Sequence, residues 1–168
     1  MIILRTFQIA ALCVFAATSA HAKTLGEFGD WITVLEQEGG KPACMMSSPP
    51  QKAEGKYAQR GDIFALITHR PAEKRVGEVG FQAGYTFKKG SNVTVVIDRK
   101  KSFQLFTNDG FAWTTDAKMD QDIAAAMRAG STMVVEGVSS RGTQTLDTYS
   151  LKGFTAALKA INKACGVK

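Results

Sequence analysis

Three groups of residues in this 168-residue chain have side chains that could carry chemistry. They are the hydroxyls of Ser139-Ser140-Arg141-Gly142 with Asp147 a few residues on, the histidine of Thr68-His69-Arg70-Pro71, and the distant cysteines Cys44 and Cys165. Acyl transfer needs a nucleophile, a base within hydrogen-bond reach and a group that orients the base. His69 is the one candidate base, because the other histidine, His21, falls in the apolar leader discussed below. The hydrolase elbow also needs a glycine two residues past its serine, on a strand-to-helix turn. From Ser139 that position is Arg141, and the flanking runs both read as strands. Ser139 to Thr143 is better explained as a hairpin turn, with Gly142 supplying a positive φ and Arg141 projecting from it. No catalytic residue is assigned on these grounds and no enzymatic activity is expected. A rival reading, a small-molecule binder or hydrolase with a pocket near His69, requires His69 and Trp113 to converge. The alternation of Phe111-Ala112-Trp113 favours Trp113 as a core aromatic in a strand.

Metal and cofactor chemistry find little support. Thr107-Asn108-Asp109-Gly110 lacks the repeated acids and distant glutamate of a calcium loop. Gly77, Gly80 and Gly84 are spread along a strand and do not precede a helix, so they suit close packing or a bulge better than a phosphate loop. No metal site and no cofactor is expected. Cys44 and Cys165 read as one structural disulfide in an oxidising compartment. The alternative, free thiols or metal ligands, lacks a CxxC spacing and has a single histidine to help.

The compartment is read from the N-terminus. Arg5, the apolar run Phe7 to Ala17 and the small-x-small pattern Ala20-His21-Ala22 together describe a secretory signal peptide over residues 1–22. That run is about half of the roughly 20 residues a spanning helix needs, so no transmembrane segment is expected in the mature chain. Leu12 before Cys13 argues against a lipid anchor. One domain over residues 23–168 follows, periplasmic, secreted or associated with the outer envelope. Removing Arg5 takes the formal charge from +6 to about +5. A basic balance outside the cytoplasm points to an anionic envelope component, such as lipopolysaccharide or an acidic glycan, or to a host surface protein, and away from nucleic acid. The candidate contacts are Arg70, Lys74 and Arg75 after one strand, Arg99, Lys100 and Lys101 at a hairpin tip, and Arg141.

The elements that must position these residues are mostly strands. Val79 to Phe87 alternates apolar and small or polar positions with a period of two. Asp62 to Thr68 and Met133 to Val138 are apolar on both faces and read as central strands. Val93 to Ile97 and Phe103 to Phe106 flank the basic tip, Phe28 to Leu35 and Thr143 to Leu151 add two more, and Ser47 to Gly61 reads as an exposed loop. A short helix over Asp120 to Ala129 carries Met119, Ile123 and Met127 as a packing stripe, with Gly130 as its glycine cap. A final helix over Phe154 to Ala164 turns Phe154, Leu158, Ile161 and Cys165 toward the body. A Cys44–Cys165 bridge would staple that helix to the strand at Ala43 to Ser47. The expected fold is mainly β, a single β-sandwich-like domain with one short internal helix and a C-terminal helix packed on it.

Phe28-Gly29-Asp30-Trp31, Gly84-Tyr85-Thr86-Phe87, Phe103-x-Leu105-Phe106, Ala112-Trp113, Ala126-Met127-x-x-Gly130 and Ser139-Ser140-Arg141-Gly142-Thr143, closing with Asp147-x-Tyr149-Ser150-Leu151-x-Gly153-Phe154, resemble the invasion-associated locus B family in order and across nearly all of the mature chain. The resemblance implies an exported Gram-negative envelope protein with a β-sandwich-like domain and supplies no catalytic residues. Many relatives carry a further cysteine shortly after the Asp-Trp pair, where this chain has Ile32-Thr33-Val34-Leu35. If that cysteine is the usual partner of Cys44, a bridge to Cys165 requires Cys44 to reach the final helix.

Overall fold

The computed structural model describes residues 22–168, so the signal-peptide reading falls, but for Ala22, outside the described residues. Eleven antiparallel strands form one continuous sheet: β1 (Lys23–Phe28), β2 (Trp31–Glu38), β3 (Lys41–Ser48), β4 (Lys52–Gly55), β5 (Phe64–Arg70), β6 (Arg75–Gln82), β7 (Asn92–Ile97), β8 (Lys101–Asn108), β9 (Phe111–Trp113), β10 (Thr132–Val138) and β11 (Gln144–Ser150). Their order in space is β1-β2-β3-β5-β6-β9-β8-β7-β10-β11-β4. Helix α1 (Ala117–Ala129) joins β9 to β10, and α2 (Phe154–Cys165) closes the chain. The sheet folds back on itself as a sandwich does. Phe81 on β6 meets Tyr149 on β11 edge-on at 6.3 Å, although four strands lie between them.

The core follows the strand period. Val93, Val95 and Ile97 point inward from β7, Met133 and Val135 from β10, Thr145, Asp147 and Tyr149 from β11. Helix α2 lies over β1, β2, β3 and β5 and buries Phe154, Ala157, Leu158 and Ile161. Full burial of each large apolar side chain stabilises by roughly 1.5–3 kcal/mol. Phe154 stands edge-on to the fully buried Trp31 at 5.1 Å, and the Trp31 indole Nε1–H donates to the Ser150 carbonyl. The Cys44–Cys165 disulfide, with Cα atoms 6.1 Å apart, fixes the end of α2 to β3. Cys44 therefore does reach the final helix.

Several boundaries differ from expectation for identifiable reasons. Phe28 to Leu35 is two strands, because Gly29 adopts φ +59° against the Lys152 carbonyl and turns the chain. The expected loop Ser47 to Gly61 contains β4, which pairs with β11 at the sheet edge. The strand expected to run to Phe87 ends at Gln82: Gly84, at φ +71°, packs so closely on Gly61 that a Cβ would lie 2.4 Å from its carbonyl oxygen. Helix α1 begins three residues early, with the Asp116 carboxylate accepting from the Met119 N–H as its cap. Gly130 ends it in an extended conformation, so its glycine serves packing, a Cβ there falling 2.6 Å from Ile97. Trp113 lies outside the core: its neighbour Ala112 points in, and the indole rests half-buried on the opposite face over Gly80.

Candidate functional site

A buried ion pair organises the most distinctive cleft. Asp147 sits on the inward face of β11, and burying its charge among Thr145 and Tyr149 demands a partner. Arg60, in the segment after β4, supplies it with two parallel bonds, Nη1 to Oδ1 at 2.6 Å and Nη2 to Oδ2 at 2.5 Å. Only 3% of the Arg60 side chain and 5% of that of Asp147 meet solvent. Arg60 Nε donates to the Ala83 carbonyl at 2.6 Å, and the guanidinium lies 5.3 Å from the Tyr57 ring centre and 5.0 Å from that of Tyr85. Cation–π contact and a bidentate carboxylate thus hold the 56–61 segment against β11. The Tyr85 hydroxyl and Thr145 Oγ1 share a 2.5 Å hydrogen bond, and burial pushes the Tyr85 phenol above its ordinary pKa.

Above this floor opens a cleft of about 700 Å³, walled by the 56–61 segment, Tyr85 and Thr86, and the 139–143 turn. Lys56 and Arg141 are exposed on its two sides, Ser140 and Thr143 add hydroxyls, and among the described residues no carboxylate lines it. Lys88 and Lys89 are exposed beside it, the Lys88 N–H donating to the Val138 carbonyl at 2.9 Å. Gly142 has φ +84° and donates to the Ser139 carbonyl, so the turn has the expected geometry and presents Arg141 outward. The arrangement suits an anion held by Arg141 and Lys56 with hydroxyl support.

The other basic candidates lie elsewhere. Register along the ladder puts the β5–β6 and β7–β8 turns on one margin of the sheet and the Arg141 turn on the other end of β10. Arg70 pairs with Glu38 at 2.9 Å and Arg75 with Glu78 at 2.6 Å and Glu73 at 3.5 Å, so with Lys74 three cations share that turn with three carboxylates. At the hairpin tip Arg99 adopts φ +56° and stands exposed with Lys100 and Lys101. Asp98 beside them is committed to the Ser131 and Thr132 N–H groups, which hold its carboxyl below the usual range.

His69 is buried beneath α2. Its Nδ1 accepts from the Gly77 N–H at 2.8 Å, so Nε2 carries the proton and donates to Asn162 Oδ1 at 2.9 Å. Both nitrogens bind structure, and desolvation lowers the pKa of the ring. Ser139 Oγ accepts from the Thr143 N–H, closing its own turn. His69 is thus engaged away from Ser139, and the cleft that contains Trp113 does not include it. The convergence required by the pocket reading is not formed. What sequence reasoning missed is Arg60, Lys56 and the role of Asp147. The available signal was the alternation Thr145, Asp147, Tyr149, which places a carboxylate on a buried face.

Neither a curated protein nor a solved structure shows a significant match to the chain. The family model described as invasion associated locus B (IalB) protein matches residues 31–162, from the buried Trp31 to the Asn162 that engages His69, and so takes in β2 to β11, both walls of the cleft and most of α2. The chain belongs to the invasion associated locus B family.

Proposed function

We propose that this chain is an exported cell-envelope protein, freed of residues 1–22 and acting in the periplasm or at the outer surface as a non-enzymatic interaction module for an anionic envelope component. The observation that carries the reading is the cleft between Lys56 and Arg141, which offers two exposed cations and several hydroxyls with no lining carboxylate. Phosphorylated or carboxylated groups of lipopolysaccharide or acidic glycans have the matching chemistry. Anionic groups on a host cell surface present the same chemistry, which is how the family name would connect with association. The tip formed by Arg99, Lys100 and Lys101 adds a second positive contact at the far margin, whereas Arg70 and Arg75 are largely neutralised by their glutamates.

Titration with purified lipopolysaccharide tests this. Binding should weaken steeply as salt rises past about 0.15 M, and Lys56→Ala with Arg141→Ala should lower affinity by about tenfold or more. Unchanged binding in that double variant, or none in the wild type, rejects the cleft. Intact mass of the protein recovered from the native host tests export: a chain starting at Lys23 that takes up two alkyl groups only after reduction is the expected result.

A further inference from the structure

On the outer face of the sheet a second cleft, about 570 Å³, is lined by Val76, Glu78, Phe106, Trp113 and Gln121 among others. Phe106 and Trp113 are register partners on β8 and β9, and the Phe111 ring lies 17° from parallel with that of Trp113 at 5.7 Å. The indole can recline on the sheet because Gly80 has no side chain, since a Cβ there would approach it to 2.4 Å. Phe106 is 44% and Val76 42% exposed, two of the four large apolar side chains so exposed among the described residues. The rim is polar and internally balanced, with Arg75 Nε donating to Glu78 Oε1 at 2.6 Å. The other oxygen, Glu78 Oε2, is buried with no hydrogen-bond partner and lies 3.8 Å from Arg70 Nη1.

We propose that this aromatic shelf binds the pyranose ring of a neutral glycan, stacked on Trp113 and flanked by Phe106. A pyranose presents a flat face of C–H groups and a rim of hydroxyls that both donate and accept, which matches a broad π surface edged by the Arg75 guanidinium, the Gln121 and Asn108 amides and the Glu78 carboxylate. An anionic ligand would meet Glu78, Asp116 and Asp120 in the same cleft. An apolar protein surface would cover the Arg75, Asn108 and Gln121 donors of the rim without offering them acceptors, whereas the hydroxyls of a sugar offer both acceptors and donors. The site is distinct from the Arg141 cleft in place and in chemistry, so the two stand or fall separately.

Cellohexaose, maltohexaose and chitohexaose, titrated into the wild-type protein and followed by tryptophan emission and amide NMR, provide the test. Trp31 is fully buried, so an emission change reports Trp113. The expected result is saturable binding of at least one of the three, insensitive to salt up to about 0.5 M, and weakened about tenfold by Phe106→Ala, an exposed position whose loss leaves the fold intact. Absence of a saturable response to all three at about 20 mM overturns the proposal. So does binding that survives both Phe106→Ala and Trp113→Leu in variants with intact melting transitions. Concentration-dependent self-association abolished by Phe106→Ala would assign the shelf to a second copy of the chain and also overturns it.

Discussion

Replacing Asp147 by asparagine preserves shape and removes one charge from the floor of the basic cleft. Arg60 would then keep its guanidinium buried, with only the Ala83 carbonyl, one amide oxygen and two aromatic faces to offset its desolvation. Breaking a buried pair from one side costs about 3–5 kcal/mol. At about 2–4 °C per kcal/mol for a domain of this size, the melting temperature should fall by roughly 6–20 °C. The companion variant Arg60→Met with Asp147→Leu removes both charges and should recover most of the loss, because paired burial returns little net stability over well-packed apolar groups. Thermal and urea unfolding of wild type, single and double variants at pH 7 form the assay. A single variant within about 1 kcal/mol of wild type, or a double variant no better than the single, would refute the claim that an uncompensated Arg60 charge is what costs.

His69 makes stability depend on pH. Its folded pKa lies below the ordinary histidine value of 6.5, so the unfolded chain takes up the proton first; stability is full above about pH 6.5 and is lost as pH falls through the folded value. His69→Gln should flatten that acid limb in unfolding curves collected between about pH 5 and 8. Reducing the disulfide, which spans 121 residues of sequence, should cost up to ~5 kcal/mol. Hydrogen exchange should show α2 losing protection before β10 and β11, and uniform loss would contradict the stapling role. Gly80→Ala should displace the Trp113 indole and destabilise by about 1–3 kcal/mol, shifting the emission of Trp113 while the buried Trp31 is unaffected.

The β-rich runs Val93 to Ile97, Met133 to Val138 and Thr143 to Leu151 placed β7, β10 and β11, although β10, read as apolar on both faces, in fact exposes Thr132 and Glu136 on one; the spacing of Phe154, Leu158 and Ile161 placed α2 and its buried side. Boundaries failed where glycine conformation decides them. Gly29 and Gly84 turn the chain by packing on backbone from distant segments, and nothing local announces that contact. Trp113 failed differently, because alternation says that Ala112 and Trp113 face opposite ways without saying which face is wet. β4 was invisible because Lys52–Gly55 is entirely exposed and owes its strand geometry to β11. In the basic cleft, Arg141 could be read from its turn. Lys56 and Arg60 join it only through the pairing of Lys52 with Thr148 and of Arg60 with Asp147.

The attachment of β4 to β11 sets the order in which this molecule can become competent. Lys52 and Thr148 are nearly a hundred residues apart in the chain, as are the two hydrogen-bonding partners Arg60 and Asp147, 87 residues apart. Hairpins such as β2–β3 and β7–β8 close over turns of a few residues and can form early, while contacts of this separation form late. The wall that carries Lys56 therefore docks only after β11 is in place. Anion binding should therefore report completed folding, and its recovery during refolding should trail the return of β-structure.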